Sequence, residues 1–210
     1  MKTMNAPTTS SERKDFQIIT DWIKPNSRVL DLGCNDGSLL KTMREQKQAS
    51  GYGLELDTKS IPLCIKNQVN VIQMNLDKGL TGFDDQSFDY VVLSLTLQSI
   101  KKPLELVEDM LRVGREGIVS FPNFGHWSVR AQLAFKGKMP VSNSLPHRWH
   151  DTPNIRLCTV KDFEYFCQTR NIHILESRVL DNAYKSNFRQ CALPNLFGNI
   201  AMYRISKYKQ

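Results

Sequence analysis

The feature that most constrains this chain is a rhythm of short apolar runs alternating with amphipathic segments up to residue 121. Arg28-Val29-Leu30-Asp31-Leu32, Tyr52-Gly53-Leu54-Glu55-Leu56, 69–74, 88–94 and 117–121 read as buried strands. Between them, 38–47 and 58–67 read as helices, as does 103–113, where Pro103 takes the favoured first position. An earlier helix carries Phe16, Ile18, Ile19, Trp22 and Ile23 at helical spacing and opens at Ser10-Ser11-Glu12. Strands and helices alternating at this spacing predict right-handed crossovers, hence an α/β fold with a doubly wound, mainly parallel sheet. A helix near 161–169 and strands near 172–179 and 199–206 complete seven strands, with an antiparallel one at the C-terminal end. We expect one domain over 1–210. It carries an irregular lid or partner insertion at about 122–157, which holds four of the nine prolines and two of the three tryptophans.

Composition narrows the function classes. No apolar run approaches the roughly 18 residues needed to span a bilayer. The first residues are polar, so a cytoplasmic protein without membrane contact is expected. Five cysteines, an odd number with no C-x-x-C pair, suit a reducing compartment and give no metal site. Charge is uneven: residues 1–100 hold 11 Lys+Arg against 12 Asp+Glu, and residues 101–210 hold 17 against 9. That basic half reads first as a solvated face, then as a surface for an acidic protein partner or an anionic substrate. Its charges are scattered, and no RRM, KH or helix-turn-helix pattern accompanies them, so nucleic acid is not expected.

In an open α/β sheet, ligands bind beyond the carboxyl ends of the strands. The first strand-to-helix turn is Gly33-Cys34-Asn35-Asp36-Gly37. A dinucleotide site asks for G-x-G-x-x-G, and Ser38 stands where the third glycine belongs. The spacing instead resembles the G-x-G-x-G turn of class I methyltransferases, with Asp31 two residues ahead. S-adenosylmethionine has a cationic amino-acid end and no pyrophosphate, so a carboxylate near the turn suits it. Glu55, 24 residues after Asp31, ends the second strand, where an acid accepts ribose hydroxyls. Leu56 follows it, and Asp57 is expected to cap the next helix. Asn35 stands at the central glycine position and tolerates the left-handed backbone. At the third strand's end, Asn75 and Leu76 fall where the adenine sits, and the Asn75 carbonyl can accept from an amine without charge assistance. Ser94, Thr96 and Gln98 end a buried strand with polar groups that the sheet does not need. They complete the expected pocket for S-adenosylmethionine or S-adenosylhomocysteine.

The run 93–100, Ser120-Phe121-Pro122-Asn123-Phe124-Gly125-His126-Trp127, Lys138-Met139-Pro140, Asp151-Thr152-Pro153-Asn154-Ile155 and Leu157-Cys158-Thr159 together resemble the MetW family of methionine-biosynthesis proteins. The likeness spans about 13–169. It implies a class I methyltransferase fold, a role in making methionine, and partnership with a homoserine O-acyltransferase of the MetX type. Asn35 replaces the family's glycine, Asn75 its aspartate, His150 a tyrosine and Arg156 a histidine. Whether methyl transfer occurs is left open by the resemblance. An active methyltransferase on a small anionic substrate is the alternative. His126, His147, His150 and Asp151 are candidate bases without a catalytic spacing, and Trp127 and Trp149 are expected in packing or partner contact.

Overall fold

The computed structural model describes residues 14–142, 144–181 and 192–208. Val29, Leu30 and Leu32 are fully buried, so β1 (Arg28–Leu32) forms the middle of the sheet. It pairs in parallel with β2 (Ser50–Glu55) on one side and β4 (Phe88–Ser94) on the other. The full order is β3-β2-β1-β4-β5-β7-β6. Here β3 is Val71–Gln73, β5 Gly114–Pro122, β6 His173–Leu180 and β7 Ile200–Ser206. β7 runs antiparallel to both β5 and β6, and the other pairings are parallel. Strand order therefore reverses at β1/β4, which opens a crevice at their carboxyl ends.

Alternating side chains feed two apolar layers. Leu30, Leu32, Val91, Leu93, Val119, Phe121 and Tyr203 pack toward α4 (Pro103–Val113) and α6 (Val160–Thr169). Val29, Tyr90, Val92, Ile118 and Met202 pack toward α1 (Lys14–Trp22) and α2 (Ser38–Lys47). The bounds of β1, α2, β4 and α4 match the sequence reading. The expected start of α1 at Ser10-Ser11-Glu12 lies outside the described residues.

Three of the differences have local reasons. α3 (Ile61–Lys66) starts later than expected, because Asp57 Oδ1 accepts from Lys59 N and closes a turn ahead of it. β5 starts at Gly114, three residues early. A Cβ there would lie 2.6 Å from Val91 Cγ2, so glycine lets α4 run into the strand without a loop. The stretch read as irregular contains α5 (Trp127–Lys136), of which only Val129 is buried. Its apolar residues do not follow a core-facing stripe, so periodicity gave no helix there. The short α7 (Pro194–Phe197) precedes β7.

Candidate functional site

The β1–α2 turn sits at the reversal point and is built from backbone bonds first. Gly33 N and Cys34 N both donate to Leu54 O, at 2.8 and 3.1 Å. Gly33 and Gly37 both have φ +75°, and a Cβ on Gly33 would lie 2.8 Å from Thr96 Oγ1. Glycine is thus required at 33 for its backbone and for the close approach of β4's end. Asn35 occupies the left-handed region at φ +49°, as its residue type permits. Its side chain accepts from Ser60 Oγ, and its carbonyl accepts from Cys64 Sγ.

Glu55 is already committed within the chain. Its Oε2 accepts from Asn35 N at 2.8 Å, and its Oε1 accepts from Leu56 N and Asp57 N at 2.7 and 2.8 Å. A carboxylate has about four acceptor sites, so the free one lies on Oε2. One ribose hydroxyl fits there without rearrangement, where the sequence reading gave Glu55 both. Leu56 beside it is exposed. Asp31 is 2% exposed, so a cation reaches it only by direct, desolvated contact. Its charge, after burial itself, pushes the Cys34 thiol up. Cys34 Sγ lies 3.8 Å from Cys64 Sγ, a buried pair that packs the turn onto α3.

Asn75 caps a 3-10 turn over Leu76–Lys78, with Oδ1 accepting from Asp77 N at 3.0 Å. Leu76 is buried in the α4-side layer. Met74 N donates to Glu55 O, which brings the ends of β2 and β3 together. Asp77 Oδ1 accepts from Lys101 N at 2.8 Å, and so ties this turn to the chain beyond β4.

At the end of β4, Ser94 Oγ meets Ser120 Oγ at 3.4 Å, and Thr96 Oγ1 donates to Ser94 O. Leu95 adopts φ +51°, a costly conformation for a branched side chain, and strain of this kind gathers at functional sites. Ser120 holds it there, with its O and Oγ both 3.0 Å from Leu95 N. Gln98 Nε2 donates to Leu95 O, and Gln98 Oε1 is buried without a partner. No propensity marks a leucine for that backbone, so sequence reading missed it. Asp31, Gly33, Asn35, Gly37, Glu55, Ser94 and Thr96 thus converge at the crevice, with Asn75 and Leu76 beside it. Glycine cradle, helix N-terminus, free acceptor on Glu55 and Asn75 carbonyl fit a nucleoside with a cationic tail. Among the described residues, no cluster of His, Cys, Asp or Glu could hold a metal ion.

The candidate bases do other work. His126 caps α5: Nδ1 accepts from Ser128 N at 3.3 Å and meets Ser128 Oγ at 2.8 Å, and burial lowers its pKa. Asp151 Oδ1 accepts from Arg148 N at 2.7 Å. His147 lines a cavity of about 210 Å³ with Trp149, Phe124 and Leu145, and His150 stacks edge-on to Trp149. Trp127, Phe135 and Trp149 are exposed, Phe135 at 89%.

The fold has close counterparts. A methyltransferase from Mesorhizobium loti superposes with a TM-score of 0.69 at 15% identity, over 94% of this chain and 99% of that one. The Haloferax volcanii complex of the Trm112 methyltransferase activator and a putative methyltransferase gives 0.68 at 11% identity, over 95% and 94%. Among curated proteins, "Bifunctional methionine biosynthesis protein MetXA/MetW" of Rhodopirellula baltica is 33% identical over 90% of this chain. A demethylmenaquinone methyltransferase of Bacillus cereus is 28% identical over 50%. The chain spans about a third of the first relative's length and about half of the second's. No helix among the described residues is long and apolar enough to cross a membrane. The family model for "Methionine biosynthesis protein MetW" matches residues 13–205, and with this class I methyltransferase sheet behind it the chain belongs to the MetW family.

Proposed function

We propose that this protein binds S-adenosylmethionine, or its demethylated product S-adenosylhomocysteine, at the β1–α2 turn. It acts as an accessory, regulatory partner of a homoserine O-acyltransferase of the MetX type. The observation that carries the reading is the Rhodopirellula relative, in which a segment similar to nearly all of this chain makes up 32% of a protein named for both MetXA and MetW. A single polypeptide keeps two modules at high effective concentration, as expected where separate chains assemble.

The turn supplies the effector site. Glu55 Oε2 takes a ribose hydroxyl, the Asn75 carbonyl takes the adenine amine, and Asp31 under Gly33 faces the cationic tail. When bound, the cofactor carries an electrophilic methyl group on sulfur. S-adenosylmethionine is made from methionine, so its occupancy reports supply to the enzyme that commits homoserine. The exposed Trp127, Phe135 and Trp149 supply the partner face: large aromatics unprotected by their own chain are typical interface anchors. Residues 122–157 carry five Lys+Arg against one Asp, which suits an acidic rim on the partner.

An active methyltransferase on a small anion remains the second reading, favoured by Lys101 and Arg156 beside Gln98. Against it, His126 spends Nδ1 on Ser128, and Asp151 spends an oxygen on Arg148 N. The acyltransferase is assayed alone, with this protein, and with this protein plus S-adenosylmethionine. Complex formation and an altered acyl-transfer rate are expected. Unchanged rates without a complex contradict the proposal, and labelled methyl appearing in an extracted small acid establishes the second reading instead.

A further inference from the structure

A cavity of about 500 Å³ lies between the starts of α4 and α6, within the size range of pockets that hold small organic molecules. Its floor is apolar and buried, formed by Leu97, Val107, Phe163 and Phe166. Its rim bears Lys101, Lys102 and Arg156 together with Glu105 and Asp162. Both acids are engaged. Glu105 pairs with Lys102 at 3.0 Å, and Asp162 Oδ2 accepts from Thr159 N and Oγ1 in the α6 capping box.

That leaves two cations, both positioned through their backbones. Lys101 N donates to Asp77 Oδ1, and Lys101 O accepts from Arg156 Nε and Nη2 at 3.2 and 2.6 Å. Arg156 N and Ile155 N both donate to Gln98 O at 2.9 Å. Residues 55 apart in sequence are thereby held together at one mouth. Among the described residues, Lys101 Nζ and Arg156 Nη1 make no hydrogen bond or ion pair. Gln98, on the cavity wall, keeps Oε1 buried and unpartnered while its amide nitrogen serves Leu95 O. A buried acceptor left without a donor is unfavourable, a cost that the fold carries at Gln98.

We infer that this cavity is a second binding site, for a small organic acid with an apolar body. The body lies over Leu97, Val107 and Phe163, and the carboxylate meets Lys101 and Arg156. The wall offers no nucleophile, since burial pushes the Cys158 thiol up to about 12 and keeps it protonated at neutral pH. The site shares Gln98 with the expected cofactor pocket and deepens the second reading's small-anion site, and acid binding there does not require the cofactor.

The test is calorimetric titration of the full chain with hexanoate, N-acetyl-L-leucine and the neutral N-acetyl-L-leucinamide. Both acids are expected to bind saturably, and the neutral amide at least tenfold weaker. Lys101→Glu and Leu104→Trp (which narrows the mouth from its exposed rim) each weaken acid binding at least tenfold without moving the thermal unfolding midpoint. If Leu104→Trp fails to fold, Lys101→Glu decides alone. Absence of saturation, equal binding of the neutral amide, or unchanged affinity in Lys101→Glu overturns the inference. S-adenosylmethionine titrated into the same samples gives a flat trace for wild type if the cofactor reading fails, which leaves the acid result standing.

Discussion

At the β1–α2 turn, Asn35 and Asp36, with Glu55 from the end of β2, each hold a neighbour by hydrogen bond, and Cys34 meets Cys64 beneath them. Along 127–157 the aromatic side chains of Trp127, Phe135 and Trp149 stand in solvent, and α5 buries a single residue. The first region is braced by its own chain, with one acceptor site left on Glu55 Oε2. The second leaves its large apolar side chains exposed. The difference teaches that the proposed small-molecule site and the proposed partner face lie in separate regions, so substitutions in one should leave the other intact.

The largest break expected is Gly33→Ala. A side chain at φ +75°, pressed against Thr96, should cost about 2–3 kcal/mol in urea unfolding and abolish cofactor binding. The Thr96→Ala background removes both the clashing hydroxyl and methyl and should recover part of that loss; equal cost in both backgrounds would show that the contact with Thr96 is irrelevant. Next, Phe135→Glu with Trp149→Ala should weaken the acyltransferase complex by about 2 kcal/mol, roughly thirtyfold. The unfolding midpoint should not move, because both rings are exposed. A complex of wild-type affinity would remove α5 from the interface.

The smallest effect concerns pH. Burial holds the His126 pKa below its ordinary 6.5, so the unfolded chain takes up the proton first. Stability is fully present above pH 6.5 and declines as pH falls through the folded value. His126→Asn keeps a helix-capping side chain that does not titrate, and should flatten the profile below pH 6.5 by a fraction of a kcal/mol. An unchanged slope in that variant would assign the pH dependence elsewhere.

The sheet was legible because a buried parallel strand needs apolar side chains on both faces, as Val29, Leu30, Val91 and Val92 provide. The location of the turn followed from Gly33 and Gly37. What Glu55 holds was not legible, since a strand-end acid looks the same whether it faces a ligand or three backbone amides. Leu95 escaped because its left-handed backbone is imposed by Ser120, 25 residues away. α5 escaped because helix periodicity reports a buried face, and this helix has almost none. The cavity at Leu97–Phe163 also escaped, being assembled from two helix starts far apart in sequence.

The central claim is that the β1–α2 turn, with Glu55 beside it, holds S-adenosylmethionine. Calorimetric titration of the wild type with S-adenosylmethionine and S-adenosylhomocysteine, beside Glu55→Ala, tests it most directly. Saturable heat with both ligands is predicted, weakened at least tenfold in the variant, which loses the ribose acceptor and frees three turn amides. Flat traces for the folded wild type with both ligands would contradict it.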